Sequence, residues 1–194
     1  MPRLAAAVLM IAVLHLSGSE ALGADDGWVV QAGYGPLYPS TTNYSFLGRS
    51  MSLAAAKPLK PWFLFGTAAE WYRLDPRESQ GSNVSTRTEA WDAIVLSATF
   101  RVQPPVRVGP APFVTASSGL SWTGGGDTYT SWYGNPYAYW YQGRESLVWA
   151  SSIGLGVRVV LPGAWPDAEF EMRRMTWIDN PVSTLFAPRF AITF

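Results

Sequence analysis

The side chains of this chain that could do chemistry fall into two groups, and neither contains a nucleophile–base pair. One is a set of charges at alternating positions: Glu70, Arg101, Arg158, Glu169, Glu171, Arg173 and Arg189. The other is a run of rings in a single segment: Tyr129, Trp132, Tyr133, Tyr137, Tyr139, Trp140 and Tyr141. Cysteine is absent and the only histidine is His15. Most hydrolytic pairs and most transition-metal sites need one of those two residue types. The sequence therefore points to no catalytic centre, no metal and no cofactor. A Ser–Lys pair would have only Lys57 and Lys60 to draw on, and both lie in a predicted turn. Glu and Arg that share a confined interior must pair, because an orphan buried charge costs several kcal/mol. The charge set reads as a salt-bridged plug in a narrow lumen, with a gated or selective pore as the functional alternative.

Composition says what surrounds these groups. The chain of 194 residues carries 14 basic and 14 acidic side chains and no net charge. Charged residues make up 14%, against about 25% in ordinary soluble domains. A neutral chain offers no electrostatic footprint for nucleic acid. The first residues have the order of a secretory signal: Arg3 supplies a charge, Leu4 to Leu16 is apolar apart from His15, and Ser17, Gly18 and Ser19 follow. That apolar stretch is shorter than the roughly 20 residues of a membrane-spanning helix. Residues 1–24 are read as a signal peptide, cleaved after Ala21, Gly23 or Ala24, and residues 25–194 as one barrel domain.

From residue 25 onward the pattern has period two. Strands are predicted at Trp28–Tyr34, Gly48–Ala56, Trp62–Arg73, Glu89–Val102, Pro112–Trp122, Ser146–Val160, Trp165–Trp177 and Thr184–Phe194. Residues 57–61, 103–111 and 161–164 are short turns. Residues 35–47, 74–88, 123–145 and 178–183 are read as mostly longer loops. An even count with short and long connections in alternation is the pattern of an up-and-down antiparallel barrel. A tight hairpin at 161–166 would set Arg158 opposite Glu169 and bring Arg189 near Glu171 and Arg173. Glycines 124–126 would let the chain leave its strand at a sharp angle.

Period two alone does not say which face points inward. An apolar outer face means lipid; an apolar inner face means a soluble, lipocalin-like ligand-binding barrel. The ten Trp, nine Tyr and nine Phe favour lipid, with Trp28, Tyr34, Trp62, Trp71, Trp122 and Trp149 near predicted strand ends like an interfacial girdle. The opposite face mixes Gly and Ala with Glu and Arg, which suits a narrow interior better than a soluble surface. The fold class expected is all-β, an eight-stranded antiparallel up-and-down transmembrane β-barrel.

Gly154-Leu155-Gly156-Val157-Arg158-Val159 and the closing Arg189-Phe190-Ala191-Ile192-Thr193-Phe194, together with the leader, resemble the small bacterial outer-membrane barrels of the eight-stranded OmpA/OmpX type. The resemblance implies an outer-membrane location, contact with outer-membrane lipid and lipopolysaccharide, and a monomer. It also implies assembly by the barrel-insertion machinery, with Phe190, Ile192 and Phe194 as the assembly signal. It implies no single activity. A structural or surface-interaction role is the reading. The rivals are an enzyme acting on lipid A acyl chains, whose known families use a histidine that the processed chain lacks, and the soluble barrel. Tyr and Trp bring contact area at low entropic cost, so the ring-rich segment 123–145, placed outside the cell, either is an interaction surface or carries rings that extend the outer girdle or fold the loop on itself.

Overall fold

The computed structural model describes residues 27–39, 48–81, 83–132, 135–141, 143, 145–163, 165–178 and 184–194. The predicted signal peptide lies outside them. Strands are β1 (Val29–Pro39), β2 (Gly48–Lys60), β3 (Phe63–Leu74), β4 (Arg77–Gln80), β5 (Val84–Thr88), β6 (Trp91–Val102), β7 (Gly109–Gly125), β8 (Thr128–Trp132), β9 (Asn135–Tyr141), β10 (Ser146–Val160), β11 (Asp167–Trp177) and β12 (Thr184–Thr193). Eight of them close into an antiparallel barrel in the order β1-β12-β11-β10-β7-β6-β3-β2. The other four pair into a separate sheet, β4-β5-β8-β9.

Cross-strand partners define the tilt. The path Val29–Ala56–Gly66–Thr99–Ser117–Ser152–Met175–Leu185 crosses every barrel strand and returns to β1 at Pro39, ten residues beyond its start. Such a stagger requires strands tilted by roughly 35–45° to the axis. At the closing seam, pairing between β1 and β12 is continuous at Gln31–Tyr34 and resumes at Tyr38. Pro36 and Pro188 fall in the gap, and proline has no N–H to give a ladder.

The faces are inverted relative to a soluble domain. Leu155 and Phe190 are each 64% exposed, whereas Glu171 on β11 is 1% exposed. Outward positions carry Phe65, Leu96, Phe100, Val114, Leu120, Ile153, Met172 and Ile192. Among the described residues, outward barrel charge sits near the two rims, with Lys57 at the short-turn end and Arg49, Arg73 and Asp92 at the other. Arg73 lies 3.6 Å from Asp92 and 3.8 Å from Asp75. Arg174, three residues from the end of β11, is the exception; its long stem allows the guanidinium to reach the rim.

Two expectations about connections are corrected. Residues 57–60 are the end of β2 rather than a turn, and the chain reverses at Pro61-Trp62. Segments 74–88 and 123–145 are not plain loops: each contributes a hairpin, and the two hairpins join through β5 and β8, from Val84↔Trp132 to Thr88↔Thr128. Short polar strands such as Val84–Thr88 have no apolar face of their own. β5 and β8 each pair with a hairpin neighbour on one side and with each other, distant in sequence, on the other, so local period gives little sign of them.

Candidate functional site

The barrel interior holds two layers of side chains. Nearer the short-turn end lie four carboxylates and four guanidiniums: Glu70, Asp167, Glu169 and Glu171 with Arg101, Arg158, Arg173 and Arg189. Alternation puts them there, since each shares the inward parity of its strand. Glu171 accepts from Arg189 Nη2, from Arg173 Nη2 at 3.1 Å and from the Thr115 hydroxyl. Arg173 Nη1 donates to Glu70, which also accepts the Tyr72 hydroxyl at 3.0 Å. Glu169 accepts from Arg101 Nη1 at 2.9 Å, from Gln31 Nε2 and from Thr193 at 2.6 Å. The Arg101 guanidinium also stacks 3.7 Å from the centre of the Phe113 ring.

Glycines make room for these groups. A Cβ on Gly154 would collide with the Glu171 carboxylate, and one on Gly33 would lie 2.8 Å from Arg189 Cδ and 2.7 Å from Ser52 Oγ. These positions need the smallest residue for close approach, not for an unusual backbone angle.

The structure brings all seven sequence-selected charges into the lumen but pairs one of them differently. Arg158 does stand opposite Glu169 in register, as Glu171 does opposite Arg189. However, Arg158 Nε donates to Asp167 at 2.7 Å and is 3.9 Å from Glu169. Asp167, absent from the selected set, also caps the turn by accepting the Leu161 N–H at 2.9 Å. Its parity with Glu169 and Glu171 was the signal that could have found it. Gln31, Thr115 and Thr193 were likewise missed, because neutral side chains do not announce themselves as ion-pair partners.

This geometry makes a swap experiment decisive. Exchanging charge at Arg158 and Asp167 together (Arg158→Asp with Asp167→Arg) is expected to recover part of the loss seen in either single reversal. The coupling should be about 1–3 kcal/mol in urea titrations of the refolded barrel. The corresponding Arg158/Glu169 exchange should recover less. Equal recovery in both would mean that Asp167 is not the principal partner.

The second layer lies toward the long-loop end and is apolar. Leu37, Tyr72, Leu74, Trp91, Ala93, Val95, Ala150, Met175, Trp177, Leu185 and Ala187 pack together there. Trp177 is its centre: its ring meets Tyr72 and Trp91 edge-on, with centroids at 5.6 and 5.4 Å, and its indole N–H donates to Ser121 at 2.8 Å. Tyr72 couples the layers, with its ring against Trp177 and its hydroxyl on Glu70. Tyr72 shares the parity of Glu70, and Trp177 that of Glu171, so alternation counted to the strand ends would have revealed this layer.

Beyond that end projects the four-stranded sheet. β7 ends where Gly125 and Gly126 take φ of +80° and +82°, values that strain other residues. The Gly126 N–H donates to Ala90 O at 3.0 Å and the Glu89 N–H to Asp127 O at 2.8 Å, tying the two hairpins where they leave the barrel. Of the seven selected rings, Tyr129 and Trp132 sit on β8, 39% and 37% exposed. Tyr137, Tyr139, Trp140 and Tyr141 occupy β9, one of the two edge strands of the sheet, with side chains outside the described set. Tyr133 lies outside the described residues altogether.

No protein-family model and no curated protein matches the chain. Among solved structures it is similar to Neisserial surface protein A, at 14% identity and a TM-score of 0.54, over 86% of this chain and 96% of that one. Ail, the attachment invasion locus protein of Yersinia pestis, aligns at 11% identity and a TM-score of 0.48 over 87% of this chain and 99% of its own. The N-terminal β-barrel domain of Pseudomonas aeruginosa OprF aligns at 12% and 0.46 over 87% and 98%. Likeness at such identity is a likeness of fold.

Proposed function

We propose, from the premise that this chain has the eight-stranded barrel fold of the small OmpA/OmpX-like proteins, that it is an integral bacterial outer-membrane protein. Its lumen does not conduct, and its working part is the projecting sheet. The inverted facing carries the reading: an apolar exterior around buried ion pairs is stable only where lipid replaces water outside. A soluble ligand-binding barrel would need the opposite facing. Surface location accords with the similarity to a Neisserial surface protein.

On this reading outer-membrane lipid and lipopolysaccharide surround the outer face, the protein is a monomer, and its role is structural or interactive rather than enzymatic. β12 presents Phe190 and Ile192 outward, and Phe194 directly after it is exposed as well, in position to be read by the insertion machinery. Loops and hairpins on a rigid scaffold are where binding concentrates, and β8 and β9 supply the rings. The charge layer and the apolar layer above it close the channel.

A closed barrel has no free edge, so it should resist SDS until boiled, with different gel mobility before and after heating. Excising Tyr129–Tyr141 removes β9 and nearly all of β8 but no barrel strand. The expected result is retained heat-dependent mobility with loss of binding to surface partners. Release of the protein from membranes without detergent would overturn the proposal, as would a deletion that leaves all surface binding intact.

A further inference from the structure

The charge layer has more donors than acceptors. Arg101 Nη1 is used by Glu169, but among the described residues its Nε and Nη2 have no protein acceptor, and neither has Arg189 Nε. Both residues are more than nine-tenths buried, at 8% and 5% exposed. They line a luminal cavity of about 40 Å³ together with Gln31, Thr99, Ser117 and Arg173. Three arginines thus line this space beside apolar residues such as Leu64 and Ala68, and among the described residues no carboxylate lines it. The carboxylates nearby are already engaged: Glu169 takes three donors, Glu171 three and Glu70 two.

A buried N–H on a charged group left without an acceptor is costly. A guest that only accepts answers that need. Water is a weaker match, because it brings two hydrogens of its own to a wall whose unpaired polar atoms are all donors. Gln31 Oε1 already accepts from Arg189, and Ser117 is already paired with Ser152 at 2.6 Å. One water-sized guest needs roughly 10–15 Å³, so the space admits a halide and excludes a lipid headgroup or a peptide. We infer that the lumen holds a built-in site for a small monovalent inorganic anion of chloride size, bound between Arg101 and Arg189. The anion completes the hydrogen bonding of the charge layer and stabilises the barrel.

Bromide is the probe. The full-length barrel, refolded and crystallised in sodium bromide, should show anomalous bromine scattering in contact with Arg101 and Arg189. At matched ionic strength, chloride or bromide should raise the unfolding midpoint relative to gluconate, which is too large to enter. Arg101→Met should abolish that dependence and weaken bromide binding about tenfold or more. Should that variant fail to insert, Ala68→Val, which only thickens the cavity wall and keeps every charge, should remove the dependence as well. Water alone in the cavity, or equal stability in chloride and gluconate, would overturn the inference.

Discussion

Replacing Glu171 with alanine is expected to lower the stability of the folded barrel by about 3–5 kcal/mol, the usual loss when one partner leaves a buried ion network. Glu171 is 1% exposed and is the shared acceptor of Arg173, Arg189 and Thr115. Without it Arg189 keeps Ser52, Gln31 and a 3.5 Å approach to Glu70, while Arg173 keeps Glu70 alone. Two guanidiniums then share one carboxylate. Glu171→Gln, which preserves shape but not charge, should recover only part of the loss. Urea titration in liposomes measures both. A loss below about 1 kcal/mol for the alanine variant, within the range of an exposed pair, would show that the lumen is wet enough to screen these charges.

Trp177→Ala is expected to cost a similar 3–5 kcal/mol by a different mechanism, the cavity left by a large aromatic side chain. Two edge-on ring contacts and the bond to Ser121 go with it. Ionic conductance should nevertheless stay low in planar bilayers, because the charge layer still crosses the lumen. Only Trp177→Ala combined with Glu171→Ala should open a steady channel. Since Tyr72 touches both layers, the two stability losses should not add strictly. A large constant current from the native protein, or from either single variant, would refute closure by two layers that each block the lumen.

Alternation was enough to read the barrel from the chain. Ser146–Val160 is predicted and found with identical ends, and the even count and the alternation of short and long connections survive with modest shifts elsewhere. Parity alone also placed Glu70, Arg101, Arg158, Glu169, Glu171, Arg173 and Arg189 on one face. That legibility has a simple cause. A strand with an apolar outer face and a polar lumen has two environments of opposite polarity, so every second residue reports its side.

Three things required the tertiary structure. The partner of Arg158 is Asp167 because side-chain reach, not register, decides which of two nearby carboxylates a guanidinium meets. The apolar layer over the lumen joins Leu37, Trp91, Met175, Trp177 and Leu185 from four strands. No local window contains that cluster, and it exists only after closure stacks the strand ends. The projecting sheet depends on pairing between Val84–Thr88 and Thr128–Trp132, two polar segments with no hydrophobic face to declare them as strands. The sequence by itself determined the eight barrel strands and which side chains share a face, because period two is a local property of the chain. The tertiary structure alone decided which inward groups meet and how the two long connections pair, because a tilt of ten residues per circuit brings together positions that no sequence spacing connects.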